Sequence, residues 1–165
     1  MGADLYINSL YEKAQEKYRP LIEQAIKNRD KATTPEEVER WQKEVERLRE
    51  EQDQDGYYRD SYNDSSILWQ IGLSWWGNVT PLLDKEGCLP LAKVKWLLDK
   101  VKAWKVPSPG KIKFKNPLSQ GDETFPPLSE EDMKDWHEYF TKKKRRLEEF
   151  LIRSIELEES PYCSL

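Results

Sequence analysis

The stretch DGYYRDSYNDSSILWQIGLSWW, residues 55–76, is the most informative about the fold, because it joins a polar, tyrosine-rich segment to the most apolar segment of the chain. Residues 55–64 combine glycine, aspartate and asparagine, which are typical of turns. Ser65 or Ser66 is a suitable N-cap, and the residues that follow are apolar nearly all round. We therefore predict a polar turn followed by one buried, central helix that reaches Trp76.

Two helical patterns precede this stretch. The first runs from about Ser9 to Asp30, and Pro20 inside it should kink or split the helix, because proline removes a hydrogen bond and clashes with the preceding turn. The second begins at Thr34, with proline at the next position, and stops at Gly56. Its apolar residues step by three and four, a narrow seam suited to an antiparallel partner helix: Val38, Trp41, Val45 and Leu48.

Two more helical patterns follow the stretch. One spans about Leu91 to Lys105, and the last opens at Ser129 and continues to about Glu158. Residues 106–128 between them contain five prolines and two glycines, which predicts a long loop. The chain ends, ADLYI and PYCSL, are candidates for a small two-stranded patch. The predicted fold class is all-α, an irregular bundle of four to five helices in a single domain over residues 1–165.

The composition excludes several kinds of protein and site. A net charge of −4 gives no global attraction to nucleic acid or to an acidic membrane surface, and no apolar run is long enough to span a membrane. His137 is the only histidine, which excludes His-rich zinc sites, and we expect no metal, no cofactor and no catalytic residue. Cys88 and Cys163 form no CxxC motif, and we expect both to be reduced in a cytoplasmic protein.

Two charged segments raise other interpretations. Gly56 occupies the sixth position of a calcium-loop pattern that starts at Glu51, but Tyr62 stands at the twelfth position, where a bidentate glutamate is needed. An acidic helix end followed by a turn is the favoured explanation. Eight lysines and one aspartate lie between Lys93 and Lys115, a candidate nucleic-acid surface for which a solvated polar face is the favoured explanation.

Four motifs carry a resemblance to a known family. MGADLYI at the start, GYYRDSYN at residues 56–63, LSWW at residues 73–76 and CSL at the end resemble a family of uncharacterised proteins from bacteria and their phages. The motifs fall at both ends and in the middle, so the resemblance covers the whole chain. It implies a cytoplasmic bacterial or viral protein, and it implies no activity, ligand or catalytic residue.

The central stretch is also the best candidate for a binding site, because aromatic walls with an arginine and a carboxylate suit a small ligand or an anionic peptide. The candidate ligand-binding residues are Tyr57, Tyr58, Arg59, Asp60, Tyr62, Asn63, Trp75 and Trp76. The loop at residues 106–128 would be placed to cover such a site. A structural interpretation stands beside this one and is favoured: residues 63–66 cap the helix, the tyrosines close over the tryptophans, and Arg59 pairs with Asp60 or another neighbour.

We therefore expect a non-catalytic cytoplasmic binding protein, in a phage-related anti-defence or regulatory role, that acts on a protein partner or sequesters a small molecule. An exposed apolar or aromatic patch, on the order of several hundred Å², would indicate a protein partner. A closed pocket lined by Tyr57, Arg59, Asp60 and tryptophans would indicate a small molecule. The alternatives are a small metal-independent enzyme that uses Asp60 and tyrosines, and nucleic-acid binding through the lysine-rich residues 93–115. The sequence leaves a homo-oligomer open.

Overall fold

Helices form most of residues 2–111 and 129–165, the part of the chain that this computed structural model describes. The chain divides into two units, one of them Tyr6–Tyr58 and the other Met1–Leu5 together with Arg59–Leu165. Most of the proline-rich segment lies outside the described residues, and with it the predictions of a long loop and of a cover for the site.

The unit Tyr6–Tyr58 is built on a helical hairpin. Helix α1 is Asn8–Lys31 and helix α2 is Pro35–Gln54. Thr34 caps α2, since its hydroxyl accepts a hydrogen bond from the Glu37 amide at 3.3 Å. Of the seam predicted on α2, the three residues Trp41, Val45 and Leu48 pack against α1, whereas Val38 is 40% exposed. The core of the hairpin consists of Ala25, Val45 and Leu48, with Tyr18, Ile22, Ile26 and Trp41 packed around them.

Helix α1 is continuous through Pro20, so the predicted split does not occur. Pro20 lies on the exposed face of the helix. Water can therefore hydrogen-bond to the Glu16 carbonyl, the group that the missing N–H of proline leaves without its helical donor.

Three short strands form an antiparallel sheet in the order β2–β1–β3. Strand β1 is Gly2–Tyr6, β2 is Tyr57–Ser61 and β3 is Tyr162–Ser164. The two chain ends are neighbours in this sheet, as predicted, but the sheet has a third strand, β2, where a two-stranded patch was expected. Strand β2 comes from the segment predicted as a turn. The fold is therefore predominantly helical, as expected, but it is not purely the all-α bundle of four to five helices that was predicted. Its alternation of buried and exposed residues has the two-residue period of a strand, which the turn-forming residues on either side obscured.

The segment predicted as one central helix is broken into short pieces. Helix α3 covers only Ile67–Gln70, and a π-helix, Trp75–Val79, follows it. Between them Gly72 adopts a positive φ of 76°, a left-handed conformation that ends a helix. The prediction of uniform burial was also wrong, because Trp69 is 45% exposed and Trp76 is 57% exposed.

Two long helices provide the core of the larger unit. Helix α4 is Leu91–Ala103, and helix α5, Glu130–Glu156, begins with a capping box between Ser129 and Asp132. The two helices pack against each other. Their buried side chains are Val94, Leu97, Leu98, Val101, Phe140, Leu147, Phe150 and Leu151.

Candidate functional site

A buried carboxylate organises the region around β2. The Asp60 side chain is fully buried. Its Oδ1 atom accepts hydrogen bonds from the Lys143 ammonium at 2.7 Å and from the Ser61 amide at 2.9 Å. Its Oδ2 atom accepts hydrogen bonds from the Ser66 hydroxyl at 2.7 Å and from the Trp75 indole N–H at 2.9 Å. A carboxylate has about four acceptor positions, so these four donors satisfy Asp60 completely.

Lys143 on α5 is the charged partner of this carboxylate, and only 11% of its side chain is exposed. The ammonium also donates to the Ser65 carbonyl at 3.0 Å and to the Tyr139 hydroxyl at 2.8 Å. An ammonium has three N–H donors, and Asp60, Ser65 and Tyr139 accept them. The pair is therefore hydrogen-bonded at both ends, which a buried ion pair requires.

The two neighbouring tryptophans face opposite environments. Trp75 is 1% exposed and donates to Asp60, whereas Trp76, the next residue, is 57% exposed. The π-helix that carries them is held at its start by Ser74, whose hydroxyl accepts from the Gly77 amide at 3.0 Å and whose amide donates to the Asn78 side chain at 2.9 Å. Single π-helical turns are rare in proteins, and those that occur are often found at functional sites.

Trp76 is exposed and has a half-buried aromatic neighbour, Tyr62. Its ring lies beside the ring of Tyr62, with centroids 5.6 Å apart. The Arg59 side chain is 59% exposed and lies 3.7 Å from the Asp4 carboxylate, and the charges of both groups act on the pKa of Tyr62. Burial raises the pKa of the Tyr62 hydroxyl, and the Asp4 carboxylate raises it further, so this hydroxyl stays protonated and able to donate. We call Arg59, Tyr62 and Trp76 the Trp76 surface.

The other candidate residues have different surroundings. The Tyr57 ring packs against Tyr6 and Tyr11, with centroids 5.3 and 6.1 Å away. Tyr58 is a core residue at 2% exposure. The Asn63 side chain accepts from the Ser65 amide at 3.1 Å and so shapes the turn before α3. The eight candidates therefore separate into an exposed surface, a buried Asp60–Trp75 pair and residues that pack or shape the chain.

Sequence reasoning missed Lys143, the partner of Asp60. It falls in the run Lys142–Arg146, which resembles an ordinary solvated basic turn. One signal was available, since Lys143 lies between Phe140 and Leu147 at the spacing of the buried stripe of α5. A lysine at such a position needs a buried acceptor.

The remaining titratable groups have structural surroundings. The His137 ring is hydrogen-bonded through Nδ1 to the Pro107 carbonyl at 2.8 Å. Both cysteines are free thiols. Cys88 pairs with Tyr162 in an isolated antiparallel bridge. Cys163 follows Tyr162 in its strand, so the side chains of these two residues point to opposite faces. Glu51 lies within α2, so the calcium-loop pattern begins on a helix and not in a loop.

Within residues 2–111 and 129–165, no group of three or more histidine, cysteine, aspartate or glutamate side chains is arranged to hold a metal ion. In the same residues, every helix is too short or too polar to cross a bilayer. Comparison with known proteins gives no match to a protein-family model, to a curated protein or to a solved structure.

Proposed function

We propose that this chain is a non-catalytic binding protein that engages a protein partner through the Trp76 surface. The observation that carries the proposal is the contrast between two adjacent tryptophans, of which Trp75 is 1% exposed and Trp76 is 57% exposed. An indole left in water at a fixed position has a cost that burial against a partner would remove.

The residue types of this surface are those that contribute most to protein–protein binding. Tryptophan, tyrosine and arginine are the side chains most enriched among residues whose truncation costs a complex the most affinity. Here all three occur together, and the Tyr62 ring supports Trp76. Rigid aromatic side chains lose little conformational entropy on binding, which favours their use as anchors.

A protein partner fits this surface better than a sequestered small molecule. Small-ligand sites enclose most of the ligand surface in a concave cavity. Trp76 instead stands outward, with more than half of its surface in water. The carboxylate and the second indole that were expected to line a pocket, Asp60 and Trp75, are buried and bonded to each other.

The two alternative functions gain less support from the same residues. A general base must reach the proton that it removes, whereas the acceptor positions of Asp60 are filled and its side chain is buried. The exposed lysines of α4 lie two turns apart in two pairs, Lys93 with Lys100 and Lys95 with Lys102, on opposite flanks of the buried face. That arrangement is typical of a solvated helix and does not form one basic patch.

Photo-cross-linking in the cells from which the chain comes tests the proposal. A benzophenone amino acid replaces Pro81, which is exposed, lies five residues from Trp76 and has no side-chain hydrogen bond to lose. We expect one cross-linked product of defined mass. This product should be absent when the same chain also carries Trp76→Ala. The matched control carries the same amino acid at Leu21, another exposed apolar position, and should not form that product. A product that survives Trp76→Ala, or that forms equally from position 21, would contradict the proposal.

A further inference from the structure

We infer that Asp60 is a positioning residue that holds both halves of the Trp76 surface in register. The inference rests on the proposed function, because it explains how that surface is kept rigid. One half of the surface comes from β2 and the residue after it, through Arg59 and Tyr62. The other half comes from the π-helix, through Trp76.

Asp60 is bonded to both halves. It lies in β2 between Arg59 and Tyr62, and its carboxylate accepts from the amide of the next residue, Ser61, at 2.9 Å. The same carboxylate accepts from the indole of Trp75, the residue before Trp76, at 2.9 Å. A single side chain therefore joins two segments that are separated in sequence by α3.

Two further elements hold the carboxylate itself. Ser66, the N-cap of α3, donates its hydroxyl at 2.7 Å while accepting from the Trp69 amide at 3.3 Å. The ammonium of Lys143, a residue of α5, donates to the Asp60 Oδ1 atom at 2.7 Å. Charge-assisted hydrogen bonds inside a protein are the strongest that side chains form, and their geometry is narrow. The carboxylate is consequently fixed from α3 and α5, and it can fix β2 and the π-helix in turn.

The direct variant is Asp60→Asn. It replaces one acceptor oxygen by an N–H₂ group, which then faces either the donors at Oδ1, from Lys143 and Ser61, or those at Oδ2, from Ser66 and Trp75. A variant that leaves a buried ammonium poorly paired can fail to fold. Trp75→Phe tests the same link more gently, because it keeps one aromatic ring in the core. It removes the indole N–H donor and also leaves a small cavity, so its control must leave a cavity too.

The experiment is hydrogen exchange on the Trp75→Phe chain, with 19F NMR of protein labelled with 5-fluorotryptophan. We expect amides in both residues 59–62 and residues 74–79 to exchange about tenfold faster, the factor that one lost hydrogen bond gives. The Trp76 resonance, assigned by Trp76→Phe, should broaden or shift. Amides of α4, which does not carry the surface, should change only by the loss of global stability.

Val79→Ala is the matched control. Val79 is fully buried in the same π-helix and is not bonded to Asp60. We expect this variant to loosen residues 74–79 and to leave residues 59–62 as in the wild type. The inference is overturned if Trp75→Phe leaves residues 59–62 unchanged, or if Val79→Ala loosens them as strongly.

Neither readout requires a partner. A negative result would remove the positioning role of Asp60 and leave the cross-linking test of the Trp76 surface intact. Loosening of both segments without any cross-linked product would instead contradict the proposed function alone.

Discussion

At the scale of single residues, the role of Asp60 differs most from expectation. The segment GYYRDSYN made Asp60 look like a ligand-binding carboxylate, because it stands among tyrosines beside an arginine. In the structure Arg59 points outward towards Asp4, and the partner of Asp60 is Lys143 of α5. Sequence patterns report spacing along one element, and they contain no information about which side chain a distant element brings across.

The ion pair between Asp60 and Lys143 should contribute strongly to stability. Lys143→Met leaves the Asp60 carboxylate buried without its charged partner, and such losses cost about 3–5 kcal/mol. Urea unfolding of the variant should therefore show a much lower free energy of unfolding than the wild type. Arg59→Met is the control, because its pair with Asp4 is 3.7 Å long and the Arg59 side chain is 59% exposed, so the loss should be far smaller. Equal losses in the two variants would contradict a stabilising buried pair.

The Cys163 thiol should make stability depend on alkaline pH. Burial raises the pKa of Cys163 from 9.0 to about 12 in the folded chain. Because the folded pKa is the higher one, this stabilisation is complete below pH 9 and is lost as the pH rises towards 12. Between these values the free energy of unfolding of the wild type should fall more steeply than that of Cys163→Ala, by up to about 1.4 kcal/mol per pH unit. If the free energy of unfolding fell equally steeply with pH in both chains, the raised pKa of Cys163 would be contradicted, whichever chain is the more stable.

At the scale of elements, local signals predicted α1, α2, α4 and α5 well, and they missed strand β2 and the break in the central helix. Thr34 and Ser129 cap their helices as their hydroxyls predict, and the stripe of apolar residues on α5 is largely buried. Those signals lie within a few residues of each other. Strand β2 depends on pairing with β1, which is far from it in the sequence. The break at Gly72 depends on the backbone conformation of that one residue. An all-round apolar pattern gave no warning of that break.

Two glycines with the same backbone conformation should respond differently to alanine. Gly56 and Gly72 both have a φ of 76°, where a side chain costs about 1 kcal/mol. A Cβ at Gly72 meets nothing within 4 Å, whereas a Cβ at Gly56 would lie 2.6 Å from the Leu10 Cβ and 2.7 Å from the Tyr11 amide nitrogen. Gly72→Ala should therefore lower the free energy of unfolding only by the cost of the left-handed backbone conformation. Gly56→Ala should lower it several-fold more. Thermal unfolding of both variants measures the difference, and a similar loss of Tm in the two would contradict it.

At the scale of the whole molecule, the sequence predicted a mostly helical chain and the region worth testing. It did not predict how that region divides. Tyr57 packs against other tyrosines, Tyr58 is buried, and Asp60 and Trp75 form an internal hydrogen bond. The exposed Arg59 and Trp76 form the Trp76 surface together with the half-buried Tyr62. The difference between Trp75 and Trp76 arises from the π-helix and from Asp60, neither of which can be read from the letters WW. The bacterial or phage origin implied by the resemblance stays a prediction.

The most direct test of the binding function is the affinity of the purified chain for the protein that cross-links beside Trp76. Trp76→Ala should raise the Kd at least about 30-fold, the effect of losing a central aromatic anchor. Leu157→Ala, which truncates another exposed apolar side chain of the same unit, should leave the Kd within about threefold of the wild type. If both variants bind as the wild type does, the Trp76 surface is not where this protein engages its partner.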